Sequence, residues 1–123
     1  MKNCEFCSKK ITGRTIFKNN YAYCIFDQNP VTKFHTLIIT KRHIKSFFDL
    51  NEKELKFVFS LVKKIKSQLT KKDKLIKGYN FGINFGKVAG QTIYHCHFHL
   101  IPRRKNDFDL RTKNFKKKFF WIK

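Results

Sequence analysis

Three histidines alternate in Tyr94-His95-Cys96-His97-Phe98-His99. Imidazole is a nucleophile, a general base and a metal ligand near neutral pH. Residues two apart on a strand share a face. His95, His97 and His99 are therefore expected on one side, with Cys96, Phe98 and Leu100 facing the core. Packing alone gives three imidazoles little reason to line up. As three ligands of one metal they are awkward, because neighbours on a strand face lie ~6.5–7 Å apart and Zn–N bonds are near ~2.1 Å. One or two of the three are easier to use. The chain has 5 histidines, the others being His35 and His43. Pairing of the strands near 35–40 and 95–102 would gather every imidazole in one region.

A second group of reactive side chains opens the chain, in Cys4-Glu5-Phe6-Cys7. A Cys pair at this spacing is a metal half-site when two further ligands exist, and His43 and His95 are the candidates. A redox dithiol is the rival reading, but such a motif should follow a strand and open a helix. Two plain thiols are the third. Cys24 and Cys96 fall within strand patterns and read as buried thiols.

These groups must be held by elements. Ile16-Phe17, Asn19-Asn20 and 21–26 read as strand, turn and strand. Asp27-Gln28-Asn29-Pro30 is a turn cluster. His35-Thr36-Leu37-Ile38-Ile39-Thr40 is a buried strand, with Lys41-Arg42-His43 as its polar exit. The spacing predicts a helix over 51–72. Asn51 caps it, with Glu54 three residues on as in a capping box, and Leu55, Val58, Val62, Ile65 and Leu69 form its stripe. Phe59 and Leu61 widen that stripe. Gly78 ends this region, 80–84 reads as a strand, 85–90 as a Gly-bearing loop, and 92–102 as the last strand.

The chain has 123 residues, 41% of them hydrophobic and 16% aromatic, which suits one packed domain rather than a disordered chain. Lys+Arg number 28 against 8 Asp+Glu, a net charge of +20, and such a surface attracts anions. Lysine, phenylalanine, isoleucine and asparagine all have AT-rich codons, so the same skew arises without binding pressure. The charge therefore speaks to adsorption, not to fold. No apolar signal segment opens the chain, and no run approaches the ~18 apolar residues of a membrane span. A cytoplasmic protein with reduced thiols is expected. The segment 103–123 is basic, and Phe119-Phe120-Trp121 within it could stack on bases. A nucleic-acid-binding module, or a deadenylase of nucleic-acid ends, is thus the alternative function.

Gly90-Gln91-Thr92-Ile93-Tyr94-His95-Cys96-His97-Phe98-His99-Leu100-Ile101 resembles the signature of the histidine triad (HIT) family. Asp27-Gln28-Asn29-Pro30, 35–43 and Gly78-Tyr79-Asn80-Phe81-Gly82-Ile83-Asn84 are similar to further segments of that family, in its bacterial zinc-binding Hit and Hint-like branch. Pro102-Arg103 leans toward members acting on dinucleoside polyphosphates. Phe34 stands where the family usually has Gly, and Thr40 where it usually has Pro.

The resemblance implies an α+β, HIT-like fold: a five-stranded antiparallel sheet with two helices, assembled as a homodimer. Residues 1–103 would form the HIT domain with its N-terminal zinc knuckle, and 104–123 a basic C-terminal extension of it. It also implies a hydrolase or transferase acting at the α-phosphate of a purine nucleotide, through a nucleotidyl-histidine on His97. The substrate would be a dinucleoside polyphosphate or an adenosine phosphoramidate. His99 would hydrogen-bond the α-phosphate or leaving group. Gln91 and Thr92 would contact phosphates, Asn84 phosphate or ribose, and Asp27 the ribose hydroxyls, while His35 would orient the His97 side. Ile25 and Phe26 could pack on the base. Cys4, Cys7, His43 and His95 would hold a structural zinc.

Overall fold

A computed structural model of the protein describes residues 3–111. It has one antiparallel sheet of 5 strands, ordered β1-β2-β3-β5-β4. The strands are β1 (Phe17–Lys18), β2 (Ala22–Phe26), β3 (Thr36–Thr40), β4 (Ile76–Gly82) and β5 (His97–Arg104), with helices α1 (Lys9–Thr12) and α2 (Glu52–Lys72). The expected sheet and two helices are both present.

Side-chain parity divides the sheet into two faces. Cys24, Ile38, Cys96, Phe98 and Leu100 pack with Val58, Leu61, Val62, Ile65 and Leu69 of α2. Tyr23, Ile25, Leu37 and Ile39 point the other way, against Phe6 and Ile11 of the N-terminal segment. Leu37 pairs with His99 and Ile39 with His97 across the β3–β5 ladder. The histidines of β5 thus share the face opposite α2.

The helix begins as its sequence indicates. Asn51 accepts from the Glu54 amide, and the Glu54 side chain accepts from the Asn51 amide. Val58, Leu61, Val62, Ile65 and Leu69 are buried as the stripe requires, but Leu55 and Phe59 are exposed and Glu54 is buried instead. The buried Glu54 carboxylate is paired: the Arg42 guanidinium donates to both of its oxygens. Arg42 also holds the Glu54 carboxyl below the usual carboxylate range.

Two strand boundaries also differ. The fourth strand starts at Ile76 and runs through Gly78, where its pairing to β5 is irregular, instead of starting at Asn80. The last strand starts at His97, not Thr92. The run before it has local partners: the His95 amide donates to Ile93 and the Cys96 amide to Ile44. Consequently His95 sits ahead of the strand, and only His97 and His99 share the strand face. Beyond β5, the Leu110 amide donates to the Val31 carbonyl and brings the chain back against the domain. Residues 112–123, including Phe119-Phe120-Trp121, lie outside the described residues. No described helix is long and apolar enough to cross a membrane.

Candidate active site and metal centre

His97 and His99 open into a cleft of about 250 Å³ lined also by Phe6, Ile11, Arg14, Ile25, Asp27, Leu37, Thr92 and Arg111. Hydrogen bonds set the tautomers here. His97 Nδ1 lies 2.7 Å from the His95 carbonyl. A carbonyl only accepts, so Nδ1 carries the proton and Nε2 keeps its lone pair. The His97 ring meets the edge of Phe6, with centroids 4.9 Å apart.

The second chain of bonds runs through His35. The Val31 amide donates to His35 Nδ1 at 2.9 Å, which places the His35 proton on Nε2. That nitrogen lies 2.9 Å from His99 Nδ1, so His35 donates and His99 accepts. The His99 proton is left on Nε2. Asp27 Oδ2 stands 3.6 Å from His35 Nε2, and Asp27 Oδ1 accepts from the Asn29 amide. Burial pushes the His97 and His99 pKa values down and that of His35 down to about 4. The imidazoles of the cleft are neutral at neutral pH.

The expected substrate contacts separate into groups. Asp27 and Thr92 line the cleft. His35 is buried behind it and orients His99 rather than the His97 side. Gln91 is buried, and its side chain accepts from the Gly86 amide and donates to the Lys45 and Ile93 carbonyls. It braces the loop, because those bonds fix its amide away from the cleft. Asn84 is buried just past β4 and does not line the cleft. Ile25 lines it, but Phe26 has the opposite parity and packs on Phe34, with centroids 5.6 Å apart.

Sequence reading missed Phe6, Ile11, Arg14, Leu37 and Arg111. Strand alternation was a usable signal for Leu37, opposite His99. Nothing in the local sequence marked the two arginines.

Cys4, Cys7, His43 and His95 come together, with their ligand atoms within 4.8 Å of one another. His95 Nδ1 lies 3.3 Å from Cys4 Sγ, 3.6 Å from Cys7 Sγ and 3.1 Å from His43 Nδ1. Cys7 Sγ lies 3.4 Å from His43 Nδ1. Zinc bonds of ~2.0–2.3 Å imply tetrahedral edges of roughly 3.3–3.8 Å, so the cluster is sized for that ion. Burial and the adjacent Cys4 push the Cys7 thiol up, a cost that a dication removes. His95 Nε2 faces the Thr40 carbonyl at 2.6 Å, a partner that orients a ligating ring. Cys24 and Cys96 are fully buried, and burial pushes the Cys96 thiol up to about 12.

Comparison with known proteins places this geometry. The model of the HIT domain matches residues 8–106. A HIT-like protein of Borreliella burgdorferi is 36% identical over 114 residues, covering 87% of this chain and 80% of the relative. The bis(5'-nucleosyl)-tetraphosphatase (asymmetrical) of Schizosaccharomyces pombe is 31% identical over 107 residues, covering 87% of this chain and 58% of that protein. Among solved structures, a Zn-bound histidine triad family protein from Mycobacterium smegmatis is 28% identical with a TM-score of 0.77, covering 94% of this chain and 86% of that one.

Proposed function

The chain belongs to the HIT family, and from that premise we propose that it cleaves purine nucleotides at the α-phosphate through a covalent nucleotidyl-histidine on His97. Nucleotide hydrolysis is an activity found in the family, as the name of the fission-yeast tetraphosphatase states. The observation that carries the reading is the bond from His97 Nδ1 to the His95 carbonyl. It leaves a neutral, unprotonated Nε2 as the nucleophile.

In the first step the Nε2 lone pair attacks the α-phosphorus. An N–P bond forms, and the bond to the leaving group breaks with its electron pair. The phosphorylated imidazole is cationic, and the His95 carbonyl stabilises its Nδ1–H. His99 Nε2–H hydrogen-bonds the α-phosphate or the leaving oxygen. Water then attacks phosphorus and gives up its proton to bulk solvent, the N–P bond breaks with its electron pair, and His97 regains its lone pair. Two steps replace one difficult displacement. Asp27 accepts from the ribose hydroxyls, and the apolar wall of Phe6, Ile11 and Ile25 takes the base. Thr92 is at the phosphates.

His99 is neutral and cannot surrender its proton without becoming an imidazolate. A polyphosphate leaves as an anion and needs no proton, whereas an amine does. This supports a dinucleoside polyphosphate over an adenosine phosphoramidate. Cys4, Cys7, His43 and His95 would hold zinc as a closed structural site that ties the N-terminus to the triad. Exposed Leu55 and Phe59 on α2, and the edge position of β4, support a homodimer.

The test is turnover of diadenosine tetraphosphate and of a fluorogenic adenosine phosphoramidate by wild type and His97→Ala. We expect the variant to melt like wild type and to lose at least about a hundredfold in turnover. Undiminished turnover in the variant would sink the nucleophile. A preference for the phosphoramidate would reverse the substrate assignment.

A further inference from the structure

The cleft must bind phosphate, yet its histidines bring no positive charge. Among its described lining residues, the permanent cations are Arg14 and Arg111, set against Glu5 and Asp27. Arg14 donates from Nη2 to the Phe26 carbonyl at 2.8 Å, at the end of β2. Arg111 is placed differently. It lines the same cleft as His97 and His99, and its charge adds to the burial that lowers the His35 and His99 pKa values.

The way Arg111 is held also fits a built site. Asp109 is fully buried, and it accepts from Arg111 Nε at 3.1 Å and from Nη2 at 3.0 Å. The Arg111 amide donates to the same carboxylate at 2.8 Å. The bond from the Leu110 amide to Val31 ties this turn to the loop that follows Asp27. A guanidinium remains charged at any accessible pH and matches phosphate geometry. Both residues lie beyond the matched residues 8–106.

We propose that Arg111 is the phosphate-binding cation of the cleft, a catalytic residue supplied by the C-terminal segment, with Asp109 as its positioning residue. The proposal rests on the reading of the cleft as a nucleotide site. Arg111 would neutralise the α-phosphate as His97 approaches it. That role belongs to a fixed donor aimed at developing charge, for which loss of one donor costs on the order of 10²–10³ in rate.

Binding separates this proposal from the proposed reaction. The affinities of full-length wild type, Arg111→Lys and Arg111→Gln for adenosine and for AMP would be measured by calorimetry, with melting curves alongside. Wild type should bind AMP at least tenfold tighter than adenosine. Arg111→Gln should lose most of that ratio while keeping its adenosine affinity, and Arg111→Lys should retain part of it. In turnover, guanidinium ion at millimolar concentration should restore part of the activity of Arg111→Gly, and sodium at equal ionic strength should not.

An unchanged AMP-to-adenosine ratio in Arg111→Gln would overturn the proposal. So would equal loss of both affinities in Lys and Gln variants, which would mark a purely structural residue. If His97→Ala kept full turnover while the ratio still depended on Arg111, the covalent mechanism would fail and this inference would stand.

Discussion

The protonation of His99 is decided by a backbone amide in another part of the chain. The Val31 N–H forces His35 to carry its proton on Nε2, and that proton in turn occupies His99 Nδ1. Replacing His35 by Phe removes the donor and leaves His99 free to adopt either tautomer. We expect turnover to fall roughly 10- to 100-fold with little change in KM, measured by steady-state kinetics. An unaltered kcat would show that His99 needs no such control. Two departures from the family pattern also find local causes. Phe34 has a φ of 72°, in the left-handed region that favours glycine. The strain, on the order of 1 kcal/mol, is offset by its packing on Phe26 and by Lys33 and Lys72, each 5.1 Å over its ring. Thr40 donates its amide to the Cys96 carbonyl at 3.3 Å, a bond that proline cannot make.

At the level of elements, the main helix was legible from its cap and period, and the central strands from their β-branched runs. What the local sequence hid was pairing and boundary. Leu55 fits the helical period, yet it is exposed while Glu54, paired with Arg42, is buried, a contact with no trace in the periodicity. Likewise, 92–96 carries strand-like residues, yet its bonds to Ile93 and Ile44 draw it off the sheet. Asp27 and His97 were readable from motif and alternation. Arg111 was not, because its position depends on a chain reversal with no local signature. The capping box gives a direct test. Asn51→Ala should destabilise the protein by about 1 kcal/mol, read from urea unfolding. No shift in midpoint would mean that helix packing alone holds the N-terminus of α2.

Across the whole molecule, burial of neutral histidines couples folding to pH. The His35 pKa falls from 6.5 in its unperturbed state to about 4 when folded. The unfolded chain therefore binds more protons in this window, and stability rises with pH. The contribution of His35, roughly 3 kcal/mol, is present above pH 6.5 and lost as pH falls toward 4. Melting temperature should drop across that interval, and a flat profile would contradict neutral burial. The proposed zinc site makes a separate prediction. Chelation should lower the melting temperature more than it slows the chemical step. If chelation left melting untouched and elemental analysis found no metal, the zinc assignment would fail.

One strand carries both the imidazoles of the cleft and part of the core. His97 and His99 alternate along β5 with Phe98 and Leu100. A slip of a single residue would turn two polar rings into the apolar interior and push two hydrophobes into the cleft. Inserting or deleting one codon here would therefore destroy stability and chemistry together. The length of this stretch is thus set by the core and the cleft at once.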